Sequence, residues 1–491
     1  MVESGVPSVV TTAYIASKLD CDLIGSPDVV VNGISLNSQS VTAGDVFAAI
    51  PGRNFHGAKF VLQALASGAV AILTDPEGLE LIGHQQVPVL VSPSPRSLLG
   101  PASRLIFHAP EEDMQLVGIT GTNGKTTTAF MVAAGARAAG RHVGLIGTLG
   151  IFIDEELIPH ARTTPEAPDL FRTLAHMKSM GVDFVVMEVS SIALEECRID
   201  GLIFDAVGFT NLSHDHLDYH GTMEAYFDVK SRLFSSTYSR SSVINIDDRW
   251  GQRLITGAQI PTESVSLAGR ADWTAARVGS GQYVVTSIRG TQTPMHLSMP
   301  GKINVANALL AVALLARLGY DSPEIAAAVG SARVPGRGEL IATLNGADVY
   351  VDYAHSPDAI AEFLTGLHDR YRGRIVVVIG AGGDRDSSKR AEMGLVAAQN
   401  SSVVIVTDDN PRSEDPTEIR EAITAGAMGA SNAEIRNTAG RENAIRLALT
   451  FAEPDGAIAI LGKGHESTME IMGELVPFND ADVIRTLVHN V

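Results

Sequence analysis

Gly118-Ile119-Thr120-Gly121-Thr122-Asn123-Gly124-Lys125-Thr126-Thr127 decides how the middle of this 491-residue chain is read. An apolar run over 114–119 enters it and predicts a strand. The amphipathic pattern that leaves it predicts a helix. A helix start presents backbone N–H groups and a partial positive charge, so it can hold phosphate. Gly121 and Gly124 let the backbone wrap closely around such a group. Lys125 is placed to reach the terminal phosphates and Thr126 to offer a hydroxyl to magnesium. A strict phosphate-loop pattern has glycine five residues before Gly124, where this chain has Ile119. An ordinary glycine-rich turn is the bland alternative; a nucleoside triphosphate site is the favoured reading.

Outward from that loop the pattern repeats. Short apolar runs at 143–146, 184–187, 206–209 and 243–246 alternate with helical stretches. That predicts an α/β fold with a mostly parallel sheet covered on both faces. Ligands of such sheets sit at the carboxyl ends of the strands. The segment before it reads as a smaller α/β unit, with strands at 29–31, 46–50 and 69–73 and a helix at 58–67. Residues 109–113 read as a linker, and Val334-Pro335-Gly336-Arg337-Gly338 as a second hinge. A third α/β unit follows, with strands at 349–352, 375–379, 403–406 and 457–461. Three domains are expected: 1–109, 110–335 and 336–491.

The bulk numbers narrow the class. Hydrophobic content of 45% and charged content of 19% describe an ordinary globular protein. A formal charge of −19 argues against a general nucleic-acid or membrane-surface binder. It leaves open a local basic pocket for an anion. Cys21 and Cys197 make neither a disulfide framework nor a metal cluster, and a reducing cytoplasmic setting fits them. No signal peptide and no apolar run near about 18 residues is found, so no membrane span is expected.

Several strand ends carry chemistry. Glu188 closes the run Val185-Val186-Met187-Glu188, where a carboxylate can meet a phosphate-bound metal; a capping or ion-paired glutamate is the plain alternative. After the next strand, Thr210 to Gly221 holds three histidines and two aspartates within 214–220, all competent metal ligands. Lys230 lies in a helical stretch, and taken alone reads as a solvated helix lysine. In the third unit, Val351-Asp352-Tyr353-Ala354-His355, Gly380 to Asp386, Asp408-Asp409-Asn410-Pro411-Arg412 and Gly462-Lys463-Gly464-His465-Glu466 each leave a strand. Each is compatible with turn chemistry. Four at one sheet edge predict a second binding surface, facing the nucleotide domain across a cleft.

These motifs together resemble the Mur ligase family, in its branch that adds a diamino acid. The resemblance covers nearly the whole chain. It rests on Ser38 and Gly44-Asp45-Val46-Phe47, on 121–127, and on Thr163-Thr164-Pro165-Glu166-Ala167-Pro168. Met187-Glu188-Val189-Ser190-Ser191, Asp215-His216-Leu217-Asp218-Tyr219-His220-Gly221, 409–412 and 462–466 complete it. The relaxed glycine loop is normal for this family. The chain departs from the pattern twice. Asn37-Ser38-Gln39 stands where Asp-Ser-Arg is usual, and Ile192 stands where a histidine usually follows Ser190-Ser191.

The resemblance implies a three-domain architecture with a central phosphate-loop sheet and a Rossmann-like last domain. It implies ATP-dependent amide bond formation in peptidoglycan synthesis, on UDP-N-acetylmuramoyl-L-alanyl-D-glutamate, through an acyl phosphate. Gly121, Thr122, Asn123, Gly124, Lys125, Thr126, Thr127, Asn304, Arg337 and Asp352 would bind ATP. Leu36, Ser38, Arg53, Asn54, Phe55, Thr163, Thr164, Ser190, Glu196 and Arg198 would hold the UDP-muramoyl dipeptide. Lys125, Glu188, His216 and Lys230 would be catalytic. Lys230, as a carbamate, would join Glu188 and His216 at a second metal site, with Thr126 on the ATP-side magnesium. Arg385, Asp409, Asn410, Pro411, Arg412, Gly462 and Glu466 would receive the diamino acid, and Arg412 favours meso-diaminopimelate because a guanidinium binds its distal carboxylate bidentately. ATP and Mg2+ are the implied cofactors, with small molecules as partners and a cytoplasmic monomer expected. The alternatives are the same reaction with lysine or ornithine, a folylpolyglutamate synthetase or the next Mur ligase, and a non-catalytic nucleotide-binding regulator.

Overall fold

Runs such as Ile375-Val376-Val377-Val378-Ile379 are too short for helices and apolar on both sides, so they form strands buried on both faces. A computed structural model describes residues 7–52, 54–430 and 433–489. Arg53 lies outside the described residues. The chain divides into two compact units, one reaching Asp272 and including Ala313–Asp321, the other comprising Trp273–Val312 and the chain from Ser322 onward.

The first unit holds two sheets. The smaller has the order Asp22–Ile24, Val89–Val91, Ala71–Thr74, Asp45–Ala48, Gly33–Ser35, parallel except for its first strand. The expected strand at 29–31 is not there: Val30 makes only a single bridge to Thr11, and the strand lies at Gly33–Ser35. The expected helix at 58–67 is a 3₁₀ turn, Gly57–Phe60, followed by the helix Val61–Ala66. The stretch expected as a linker contains a 3₁₀ turn, Pro110–Asp113, whose buried Glu111 pairs with Arg104 at 2.6 Å.

The larger sheet of this unit runs Thr262–Ser266, Ser242–Asn245, Ala206–Phe209, Gln115–Thr120, Phe184–Glu188, Val143–Gly147, all parallel. The antiparallel strands Gly150–Ile153 and Glu156–Ile158 extend it. Register places the site. Glu188 pairs with Ile119, and Phe209 pairs with Thr120. The loops after three neighbouring strands therefore leave the sheet at the same edge.

In the second unit a meander, Trp273–Gly279, Gln282–Thr286 and Gln292–His296, precedes a sheet of order Glu339–Leu344, Ala347–Asp352, Ala457–Leu461, Ile375–Ile379, Val403–Val406, Glu434–Asn437. Only the first pair is antiparallel. Side chains alternate across it, as strand geometry requires. Ile375, Val377 and Ile379 pack with one core, and Val376 and Val378 with the other. Asp352 pairs with Leu461 and Ile379 with Val406, so the 353–356, 380–388, 407–415 and 462–467 loops share one edge. A hairpin, Thr468–Ile471 and Glu474–Pro477, follows the last of these. Among the described residues, no helix is long and apolar enough to cross a membrane.

Candidate active site

The glycine loop is built as its sequence demands. Gly121 and Gly124 have φ of 143° and 87°, in the region that favours glycine. A Cβ on Gly121 would lie 1.9 Å from Thr210 Oγ1. That hydroxyl donates to the Asn123 carbonyl at 2.6 Å, and the Asn123 N–H donates to Asn211 Oδ1 at 3.0 Å. The helix Lys125–Ala138 starts here with no side-chain cap. An uncapped helix start offers N–H groups to an anion. Lys125 folds back, its Nζ donating to the carbonyls of Gly121 at 3.0 Å and Thr122 at 2.9 Å. Thr126 is buried beside it.

Behind the loop lies Lys230. Its helix is Met223–Ser231, but the lysine is only 2% exposed, so the reading of a solvated side chain is wrong. The helix turns this residue toward the sheet edge rather than to water. Nζ donates to Gly121 O at 2.9 Å and Thr120 Oγ1 at 3.3 Å, and sits 4.8 Å from the centre of the Tyr226 ring. Burial pushes its pKa well below the ordinary 10.5, and the Lys125 charge pushes the same way against Asp215. Both effects shift the balance toward the neutral amine. His220 stacks on Tyr226 and bonds Ser191 Oγ at 2.8 Å; burial first, then Lys230, lowers its pKa.

Glu188 is fully buried at the strand end. Its carboxylate accepts from the Thr148 N–H at 2.8 Å and the Thr148 hydroxyl at 3.0 Å. Gly147 makes room for it, since a Cβ there would meet Glu188 Oε1 at 2.3 Å. His216 is half exposed, in the left-handed region at φ 53°, with Nε2 3.6 Å from Asp215 Oδ2. The histidine- and aspartate-rich run does not collapse into a cluster. Among the described residues no three His, Cys, Asp or Glu side chains converge as a metal site. Magnesium, when bound, would draw on the Thr126 hydroxyl on the ATP side and on Glu188 and His216 at a second position. Lys230 fits as a fourth only as an anion, because an ammonium repels the metal; its buried, neutral-leaning amine is the form that can take up carbon dioxide.

Thr163, Thr164, Ser190, Glu196 and Arg198 line one cavity of about 530 Å³, together with Arg96, Arg162, Ile192 and His216. Arg198 Nη1 donates to Thr164 O at 3.2 Å, and Nη2 to Glu196 Oε2 at 2.5 Å. Three arginines, 96, 162 and 198, approach Glu166 at 3.5, 3.1 and 3.0 Å. Arg96, Arg162 and Glu166 also line a second cavity of about 660 Å³ with Leu36, Ser38, Gln39 and Phe55. The two cavities share these three lining residues. Ser38 donates to Gln63 Oε1 at 3.0 Å, and Asn54 is exposed and does not line the cavity.

In the second unit Asp352 accepts from the N–H of Gly338 at 2.6 Å and of Ala354 at 2.7 Å, and burial raises its pKa against Arg337. The Arg337 guanidinium lies 4.2 Å from the centre of the Tyr353 ring. Asn304 is buried, donating to Pro300 O at 2.7 Å. At the sheet edge, a Cβ on Gly382 would lie 3.0 Å from Arg412 Nη1 and 3.9 Å from Arg385 Cγ, so both arginines flank that glycine. Asn410 Nδ2 donates to Glu466 Oε2 at 2.8 Å, and a Cβ on Gly462 would sit 2.8 Å from Asp409 Oδ2. A Cβ on Gly383 would lie 1.9 Å from Pro411 O. The structure thus brings the candidates 385, 409–412, 462 and 466 together. Burial raises the Glu466 pKa, but bonds from Lys463 and Asn410 outweigh it and hold the carboxyl below its usual value.

Three family descriptions match the chain: "Mur ligase family, catalytic domain" at residues 30–102, "Mur ligase middle domain" at 119–315, and "Mur ligase, glutamate ligase domain" at 336–464. A UDP-N-acetylmuramoyl-L-alanyl-D-glutamate–2,6-diaminopimelate ligase of Corynebacterium glutamicum is 44% identical, over 93% of this chain and 91% of that protein. The chain belongs to the Mur ligase family. A ligase of the same name from Streptomyces coelicolor is 39% identical over 98% of this chain and 97% of its own. A UDP-N-acetylmuramyl-tripeptide synthetase of Leifsonia xyli is 38% identical over 96% and 95%. A solved structure of such a diaminopimelate ligase superposes with a TM-score of 0.74 at 29% identity, covering 98% of this chain and 99% of that one. MurF from Thermotoga maritima, solved with ADP, shares the fold at a TM-score of 0.62 and 18% identity, over 94% and 97%. This Mur ligase has the α/β fold expected of the family, with a mostly parallel central sheet.

Several residues at these sites went unread in the sequence. Tyr226 packs against both Lys230 and His220, Thr148 satisfies Glu188, and Arg96 lines both cavities. Only a tertiary neighbour distinguishes them from ordinary surface or core residues. Lys463 stood inside a quoted motif; its complete burial, with acceptors at Asn410, Glu466 and Thr468, gives it a structural reading.

Proposed function

We propose that this chain is an ATP-dependent ligase that adds meso-2,6-diaminopimelate to UDP-N-acetylmuramoyl-L-alanyl-D-glutamate, in peptidoglycan synthesis. A carboxylate is a poor electrophile. Transfer of the ATP γ-phosphoryl group to the glutamyl γ-carboxylate releases ADP and leaves an acyl phosphate. The amine of the diamino acid attacks its carbonyl carbon, loses a proton, and expels phosphate as the amide forms. The glycine loop 121–127 and Lys125 hold the phosphates, with Asn304, Arg337 and Asp352 completing the ATP contacts. Thr126, Glu188, His216 and Lys230 in its carbamate form would hold magnesium, which supplies positive charge to the transferring phosphoryl group. Arg198, Thr163, Thr164, Ser190 and Glu196 seat the dipeptide, while Leu36, Ser38, Arg53 and Phe55 seat the UDP-sugar. Arg385 and Arg412 clamp the distal carboxylate of diaminopimelate. Asp409, Asn410, Pro411, Gly462 and Glu466 form the rest of that pocket. These roles divide the chain into a UDP-sugar domain at 1–109, an ATP domain at 110–335 and an amino-acid domain at 336–491. A cytoplasmic setting suits nucleotide-borne substrates, and the reading takes the enzyme as a monomer.

The observation that carries the reading is the buried Lys230 amine held 2.9 Å from the carbonyl of the loop residue Gly121. A plain nucleotide-binding regulator has no use for it. The test is phosphate release with the UDP-muramoyl dipeptide across a panel of diamino acids. Release dependent on diaminopimelate, and weak with lysine or ornithine, is expected. ATP binding without release for any amine contradicts the proposal.

A further inference from the structure

Arg412 is held by the hairpin that follows the 462–466 loop. Its N–H donates to Glu470 O at 3.0 Å, and the Met472 N–H donates to Arg412 O at 2.7 Å. This clamp seats Arg412 at φ 52°, where residues with a side chain are uncommon. The side chain is fixed as well. Nε donates to Glu470 Oε2 at 3.1 Å and Nη1 to Gly383 O at 2.6 Å. A guanidinium has five N–H donors in one plane. Two anchors, at Nε and on the opposite flank at Nη1, set that plane, and among the described residues Nη2 meets no acceptor. The hairpin strand is itself pinned to the 409–412 loop. The Glu470 N–H donates to Asn410 Oδ1 at 2.9 Å, and the buried Lys463 ammonium donates to both Asn410 Oδ1 and Thr468 O.

We propose that Glu470 is a positioning residue for amino-acid specificity. Its carboxylate holds Nε while Gly383 O holds Nη1, so the remaining N–H groups at the Nη1/Nη2 end are turned out as a preset fork for the distal carboxylate of the diamino acid. The inference rests on the reading of Arg412 as the group that meets that carboxylate. Bidentate recognition rewards a fork already held at the right angle. A free arginine would spread over many rotamers and lose that advantage. Glu470 lies at the edge of the pocket, with its side chain 39% exposed, so its removal leaves no buried cavity.

The test is steady-state kinetics on Glu470→Ala, Glu470→Gln, Arg412→Ala and the Glu470→Ala/Arg412→Ala double variant. Glu470→Ala is expected to raise KM for diaminopimelate about tenfold, the worth of one charge-assisted hydrogen bond. Its kcat and its KM for ATP stay at the wild-type values. Glu470→Gln, whose amide oxygen still accepts from Nε, recovers most of the loss. In the Arg412→Ala background, Glu470→Ala adds nothing. An unchanged KM in Glu470→Ala, where Arg412→Ala raises it, overturns the inference alone. So does an equal cost with and without Arg412, or a parallel loss in kcat and in KM for ATP. An unchanged KM in Arg412→Ala overturns the reading of Arg412 itself.

Discussion

Lys230 shows what one residue's surroundings do to its chemistry. A lysine in a helical stretch is by default solvated, and nothing in 226–234 says otherwise. Burial to 2% and the approach of Lys125 reverse that default. Lys230→Ala is expected to lower kcat by about 10²–10³-fold, the scale of one lost electrostatic group at a phosphoryl centre. Short-chain carboxylates added to the assay restore part of it; a near-wild-type rate in the variant contradicts the role. The pH dependence follows from the sign of the shift. The folded pKa lies below the unfolded one, so between them the unfolded chain binds more protons and stability rises with pH. The amine that takes up carbon dioxide is the same deprotonated form. Enzyme stripped of carbon dioxide in mild acid should therefore regain activity with bicarbonate, at a rate that rises with pH through the lowered pKa and levels off above it at fixed dissolved carbon dioxide. No recovery with bicarbonate at any pH sinks this assignment. At Arg412 the sequence was more readable, because a guanidinium always carries its charge. Arg412→Ala should raise KM for diaminopimelate by the equivalent of about 2–4 kcal/mol, with little change for ATP, as initial rates against each substrate will show.

Among the elements, the strand-to-helix turn at 118–127 was the most legible. Two glycines at its corners and an apolar strand before it leave few conformations. Its packing was not legible. Nothing in the sequence places Thr210 1.9 Å from where a Gly121 Cβ would stand. Gly121→Ala should therefore cost about 1–3 kcal/mol of strain, shown by thermal unfolding, and raise KM for ATP at least about tenfold. Because Thr210 Oγ1 makes the closest clash, ahead of Asn211 O at 2.9 Å, Thr210→Ala in the same chain should recover part of the stability. Recovery of none would mean that the φ of 143° or the Asn211 backbone, not the Thr210 contact, is limiting. The central and last sheets were readable because strands buried on both faces are continuous apolar runs. The first domain was harder. Val29-Val30-Val31 looked like a strand, yet the strand is Gly33–Ser35, a segment with one strongly apolar residue. Pairing with Asp45–Ala48 decided that, and pairing is not local.

At the scale of the molecule, the formal charge of −19 looks hostile to anionic substrates. The structure answers by concentration: Arg96, Arg162 and Arg198 share one cavity of the first unit, and Arg385 and Arg412 flank Gly382 in the second. Under the proposed roles each unit should report its own ligand. Hydrogen exchange on the intact chain can separate them. The UDP-muramoyl dipeptide alone should slow exchange in peptides covering 35–40, 162–166 and 188–198. Diaminopimelate alone should slow it in 380–388, 407–415 and 462–472. A bound ligand stabilises what it touches by an amount that grows with its concentration over Kd, so protection should rise with each ligand over the range of its own KM. Diaminopimelate that protects 162–198 and leaves 407–415 unchanged would put the amine donor in the wrong unit. The assignment of Arg385 and Arg412 to the distal carboxylate, and with it the preference for diaminopimelate over lysine, would then lose its structural ground.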